Sequence, residues 1–501
     1  MTSLVMGPLL GLESETQYSL CFMTEAGCKS AAVRINGEVL AAGKQADTPK
    51  GAFWRLVWQA SPKSKAGTTI DYEILLDDKP AQDLGGYDKW QFYLPGKKEN
   101  VLIGYASCNG FSDFKLLTST PAPYAMWDKL AAEHKAHPFS LLLMGGDQVY
   151  ADSLWTSVPT IKAWNELDRA EKVKRKATRT MVEQLDRFYC ELYCKQWSRP
   201  EVAFMLARVP SAMMWDDHDI FDGWGSYPDD LQGCEVYQAI YAAAAKYFRL
   251  FQLRTGANTA LLDKSLNHHS WRLGFRGYQI LALDNRATRT LTLVMSRAQW
   301  DQVNEALAGC SSGDLLVMTG VPVVYRDFSF SEAALDATPW EEELTDDLKD
   351  HWRAKAHEGE RARLIMRLLD NARLRRKSAK ADKGGSLEPK TLILSGDVHV
   401  GCLGVIQDKR EGVLNLHQLV SSGIVHPCPT QFQWMGILAM TNDNPEYLDE
   451  SRLIRTELIK PFGAPVYLRT RNFATLQMGT DGKLWANWRC ENGLDASYPL
   501  A

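Results

Sequence analysis

The spacing of apolar and polar positions along this chain changes near Asn100. Before it, Tyr18-Ser19-Leu20-Cys21-Phe22, Ala31-Ala32-Val33-Arg34-Ile35 and Ile70-Asp71-Tyr72-Glu73-Ile74-Leu75-Leu76 are short runs bounded by Gly, Pro, Asn and Asp. Such runs predict strands joined by turns, with no helix-period stretch between them. Residues 1–95 are therefore expected to form a small N-terminal β-sandwich. Beyond Asn100, apolar runs at 101–105, 140–144, 212–215, 278–283, 315–324, 392–395 and 414–420 alternate with helical patterns. This alternation predicts an α/β domain over 96–501, with helices covering both faces of its sheet. A helical insert is expected at 157–200 and a second helix at 235–253. The segment 378–390 reads as an exposed loop. Gly479-Thr480-Asp481-Gly482 marks a C-terminal hairpin within 465–490.

Composition narrows the class. With 501 residues, 45% hydrophobic and 24% charged, the chain is long enough for a large core. A net charge of −4 argues against a chain-wide attraction to nucleic acid. The first residues carry no basic and apolar leader, and no run has the length of a membrane span, so the cytoplasm is the expected location and a membrane is not an expected partner. The ten cysteines are scattered, which excludes a disulfide scaffold, and Cys190 with Cys194 reads as core. No Gly-x-Ser-x-Gly elbow, Walker A loop or His-Glu-x-x-His stretch occurs, so serine hydrolase, P-loop and zincin chemistries lack their signatures.

Three apolar runs end in acidic clusters: Gly145-Gly146-Asp147-Gln148-Val149-Tyr150, Asp216-Asp217-His218-Asp219 and Gly396-Asp397-Val398-His399. A strand ending in Asp or His aims those groups at the carboxyl edge of a sheet, where open α/β folds place ligands. Carboxylates and imidazoles gathered there from distant parts of a chain suggest a shared metal site. Two ions need a bridging ligand, and Asp147 is the best candidate because Gly145 and Gly146 let the backbone approach. Tyr150 lies where a turn would direct its phenol to the same place, and Cys108 ends another strand. Phenol and thiol ionise reluctantly, and a trivalent ion such as Fe³⁺ favours both by lowering their pKa. One carboxylate of Asp217-His218-Asp219 can hold a second ion. His218 can face a substrate as general acid, with Asp219 on its other ring nitrogen. Asp397 and His399, two apart in an extended segment, would point the same way. Structural readings stay open for Cys108, Tyr150, Arg286 and Arg289. His426 is expected to be structural, and His268-His269 to sit in a surface turn.

The combination of Ser107-Cys108 with the three clusters, in that order, resembles the PhoD-like alkaline phosphatases. These are a branch of the calcineurin-like metallophosphoesterases, related in fold to purple acid phosphatases. Leu283-Asp284-Asn285-Arg286-Ala287-Thr288-Arg289 is similar to that family's Leu-Asp-x-Arg-x-x-Arg segment. Residues 350–369, with Trp352 and Arg361, are also similar, and Gly7-Pro8-Leu9-Leu10-Gly11 looks like the start of its N-terminal β-domain. The resemblance implies a β-sheet sandwich flanked by helices, preceded by an immunoglobulin- or fibronectin-like domain. It implies that Cys108, Asp147 and Tyr150 hold iron, with Asp147 bridging to one or two divalent ions, calcium first and Mn²⁺ or Zn²⁺ as alternatives. Asp217 would bind the second ion, Asp397 and His399 would close the site, and His218 would be the catalytic imidazole. Asp222 stands where an Asn ligand is common in relatives. The implied reaction is hydrolysis of a small phosphate mono- or diester by a metal-activated water attacking in line, with Arg286 or Arg289 clamping a phosphate oxygen. The alternative is a catalytically silent relative that binds a phosphorylated ligand or partner in the same cleft.

Overall fold

The computed structural model describes residues 2–61, 65–327, 351–381 and 388–500. Two large sheets pack face to face. In the ten-stranded sheet the strands Ile103–Ala106, Leu141–Gly145, Ser211–Met214 and Met6–Leu12 run parallel at the centre. In the nine-stranded sheet the parallel centre is Tyr278–Leu283, Asp314–Thr319, Thr391–Ser395 and Leu414–Val420. These strands are apolar throughout because both of their faces are covered.

Their alternation assigns each side chain a layer. Leu316, Met318, Leu392 and Leu394 join the core shared with Leu143 and Met144 of the other sheet. Leu315, Val317 and Ile393, one residue out of phase, pack with Trp300, Leu364 and Leu368 from the helices Arg297–Ala308 and Glu358–Ala381. The helices Arg179–Trp197 and Glu235–Phe251 add Leu185, Tyr189, Ile240 and Phe248 to the first core. The result is a mixed α/β sandwich flanked by helices.

Among the described residues of 2–94 the regular elements are all strands, in two sheets. One is a six-stranded sheet around Thr68–Leu76. The other is not separate: Gln17–Thr24, Gly51–Gln59 and Gly43–Thr48 extend the ten-stranded sheet through Met6–Leu12, which pairs with Ser211–Met214. A boundary at residue 95 therefore crosses a continuous sheet, since each strand beyond Met6–Leu12 finds its hydrogen-bond partner in the next. The insert forms several helices between Leu154 and Leu206, and the tail hairpin pairs Asn472–Met478 with Leu484–Cys490. The segment read as a loop at 378–390 begins as helix, through Ala381, and 382–387 lie outside the described residues. Asp350 also lies outside them. Among the described residues no helix is long and apolar enough to cross a membrane.

Candidate metal centre

The carboxyl ends of the central strands from both sheets meet at one place, and the backbone there is unusual. Cys108, Asp147, Asp397 and His399 have φ of 51°, 54°, 65° and 52°. Side chains with a Cβ rarely take this left-handed conformation, which concentrates at sites where geometry serves function. The segment 397–399 is thus a tight turn rather than an extended strand. Gly146 has φ of 100°, and a Cβ on it would lie 2.7 Å from Asp216 Cβ, so glycine alone lets the two strand ends close up.

The donor atoms fall into overlapping groups. Cys108, Asp147 and His399 can bring ligand atoms within 4.8 Å of one another, and so can Asp147, Asp216, Asp217 and Asp397. Asp147 belongs to both groups. Its two carboxylate oxygens are buried and, among the described residues, accept no hydrogen bond. Tyr150 Oη lies 3.4 Å from His399 Nε2, and its ring is 4.3 Å from that of His218. Asp217, His218 and Asp222 form a third group. Asp222, its side chain 42% exposed and 3.8 Å from His218 Nε2, marks the side open to solvent.

Burial pushes the Cys108 thiol and the Tyr150 phenol well above their ordinary ranges, and neighbouring acids push them further. Burial likewise raises Asp147, with Asp216, Asp217 and Asp219 adding to the effect against an opposing His218. His399 is held well below 6.5 by burial and by His426 and His218, which leaves its imidazole available as a ligand. A cation bound among these groups would convert acids that burial keeps neutral into anions. The orphaned carboxylate of Asp147, beside a thiol and a neutral imidazole, fits such an ion.

Around this shell the chain supplies positioning contacts. His218 Nδ1 lies 2.8 Å from Asp152 Oδ2, while Asp152 Oδ1 accepts from the Asp222 backbone at 2.9 Å. Burial alone would hold His218 neutral, but Asp152, Asp217 and Asp222 outweigh it and raise the imidazole well above 6.5. The carboxylate that orients His218 is therefore Asp152. Asp219 accepts from the backbone N–H groups of Asp216, Gln148 and Val149 and from Gln252 Nε2, at 2.8–3.2 Å. Its oxygens, taken up by these four donors, weld the two turns together. Arg286 is fully buried and paired to Asp216, with Asp217 3.3 Å away, so its guanidinium faces two of the candidate-ligand carboxylates. Arg289 is buried under Gly225, with Nη2 3.4 Å from His357 Nδ1.

His426 approaches the site: its ring stacks on His399 at 3.6 Å and on Tyr150 at 5.6 Å. His268 and His269 are buried, not in a surface turn, and His269 Nδ1 lies 3.3 Å from Asp284. Asp152, and Asp216 as a candidate ligand, were given no role from the sequence. Asp152 follows Tyr150 by two residues in the same turn, which was the available signal.

A family model described as PhoD related phosphatase matches residues 86–339, half of the chain, and spans two of the three clusters. The chain belongs to the PhoD related phosphatase family. Solved structures similar to this chain agree in fold. A structure of PhoD superposes with a TM-score of 0.58 at 12% identity, covering 99% of this chain and 89% of that one. A purple acid phosphatase, PPD1 from yellow lupin (Lupinus luteus) seeds, gives 0.51 at 11% identity, covering 99% and 74%. The uncharacterized protein YGR266W of Saccharomyces cerevisiae is 28% identical over 395 residues, 66% of this chain. The chain spans about half the length of that relative, 54%.

Proposed function

We propose that this chain hydrolyses small phosphate esters, mono- or diesters, in the cytoplasm, at the centre described above. The observation that carries the reading is Asp147, whose two buried oxygens lack partners and belong to two donor groups at once. Cys108, Tyr150 and His399 with Asp147 would hold Fe³⁺. Asp216, Asp217 and Asp397 with Asp147 would hold a divalent ion, Ca²⁺ first, with Mn²⁺ or Zn²⁺ as substitutes. Ions bound there would supply Lewis acidity, lowering the pKa of a water and neutralising phosphate charge. The chain's own contribution is placement. His218, kept protonated by Asp152, presents Nε2 toward the open side and can donate a proton to the leaving oxygen. Arg286 keeps Asp216 and Asp217 aimed inward. Trp155, packed edge-on against Phe221 at 5.0 Å next to Asp222, would restrict which leaving group enters.

The test is hydrolysis of bis-p-nitrophenyl phosphate and p-nitrophenyl phosphate by the chain, with and without chelator, beside His218→Asn. Chelator-sensitive release of nitrophenol that falls with His218→Asn supports the reading. Absence of hydrolysis of either ester with Fe³⁺ and any of the three divalent ions overturns it in favour of a silent phosphate-binding relative.

A further inference from the structure

Away from the metal centre a cleft of about 910 Å³ opens between the six-stranded sheet and the helices Ala125–Ala136 and Pro200–Leu206. Two of its lining residues, Pro138 and Arg208, lie just before the strands Leu141–Gly145 and Ser211–Met214. The cleft therefore sits at the amino edge of strands whose carboxyl ends carry Asp147 and Asp217. A five-residue strand sets the two edges roughly 17 Å apart.

The charges lining the cleft are not balanced. Glu73 is taken by Arg34, and Asp71 accepts from Gln91 Nε2 at 2.7 Å. Nearby Asp83 is occupied by the Gly85 and Tyr87 backbone N–H groups and by Trp90 Nε1. Lys89, Lys135 and Arg208 also line the cleft, and among the described residues none of the three forms a salt bridge, although Asp83 attracts Arg208 and Arg208 Nη1 donates to the Phe204 carbonyl at 3.1 Å. Two of them are held over aromatic rings instead. The Arg208 guanidinium lies 4.0 Å from the centre of Phe204 and 4.8 Å from that of Tyr87, and Lys135 Nζ is 5.1 Å from Phe204. Ring faces hold a cation in place without neutralising it. Tyr87 is itself 48% exposed, which leaves part of its ring available for stacking.

We infer that this cleft is a second binding site, for a phosphorylated small molecule that carries an aromatic ring, a nucleotide being the class that fits. Lys89, Lys135 and Arg208 would take the phosphates through charge-assisted hydrogen bonds, and Tyr87 would take the ring. The volume lies in the range of small-molecule sites. Binding here is independent of turnover at the metal centre.

ADP is the probe, measured by calorimetry on the Asp147→Asn chain and again on the unsubstituted chain held in chelator, so that neither turnover nor bound metal contributes. The expected result is one ADP per chain in both preparations. Lys89→Gln with Lys135→Gln, both exposed side chains whose loss leaves the core untouched, should weaken it about tenfold or more. Inorganic pyrophosphate should bind more weakly than ADP, because it has nothing to stack on Tyr87. The double variant with Asp147 intact should hydrolyse bis-p-nitrophenyl phosphate at the parent rate, which separates this site from the hydrolytic one. Absence of ADP binding in both preparations, ADP binding unaltered by the double variant, or pyrophosphate binding as tightly as ADP would each overturn the inference.

Discussion

Replacing Asp152 by Asn probes how the chain controls its proposed acid. Asp152 Oδ2 sits 2.8 Å from His218 Nδ1, and the two side chains are only 13% and 9% exposed. Asparagine keeps the shape and can keep the contact from Oδ1 to the Asp222 backbone, but it removes the charge opposite the imidazole. A hydrogen bond to a charged group contributes about 1.5–3 kcal/mol, and little solvent reaches this one to screen it. If the imidazolium is needed as the leaving oxygen departs, the whole loss falls on the transition state. The turnover number for bis-p-nitrophenyl phosphate should then drop roughly ten- to hundredfold with KM unchanged. Metal content should not change, because Asp152 belongs to none of the donor groups. Steady-state kinetics paired with elemental analysis reads both quantities. An unaltered turnover number, or activity and metal lost together, refutes the reasoning.

Two further outcomes follow from buried charge. Burial holds His134 and His417 near a pKa of about 4 in the folded chain, against 6.5 for an exposed imidazole. Between pH 6.5 and 4 the unfolded chain binds the extra protons, so stability present above 6.5 is lost as pH falls through this window, by roughly 3 kcal/mol per residue at most. Thermal unfolding scans should show Tm falling over that range, with a flatter limb for His417→Gln; a limb identical to the parent's would contradict the assignment. Arg286→Gln should cost about 3–5 kcal/mol in urea unfolding, since it strands Asp216 and Asp217 in the interior. A raised KM with unchanged stability would instead return Arg286 to the phosphate-clamp role.

Much of this was legible in the chain, for identifiable reasons. Strands buried on both faces read as unbroken apolar runs, so Leu141–Gly145, Ser211–Met214 and Thr391–Ser395 stood out together with the acidic turns that follow them. The turns that gather Cys108, Asp147, Asp397 and His399 were hidden, because left-handed backbone at residues other than glycine leaves no compositional mark. The continuity of Met6–Leu12 with Ser211–Met214 was hidden too, since a parallel pairing across two hundred residues has no local signal. Asp219 and Asp152 show the remaining gap. Both are acidic residues close to the site in sequence, and only geometry separates the one that ties backbone turns together from the one that faces His218.

The most direct test of the metal centre is elemental analysis of the purified chain beside Asp147→Asn, read independently of activity. The expected result is about two ions per chain, iron among them, and loss of both when the shared carboxylate of Asp147 becomes an amide. A chain that binds no metal under any loading condition, or an Asp147→Asn chain that keeps the full complement, would contradict it.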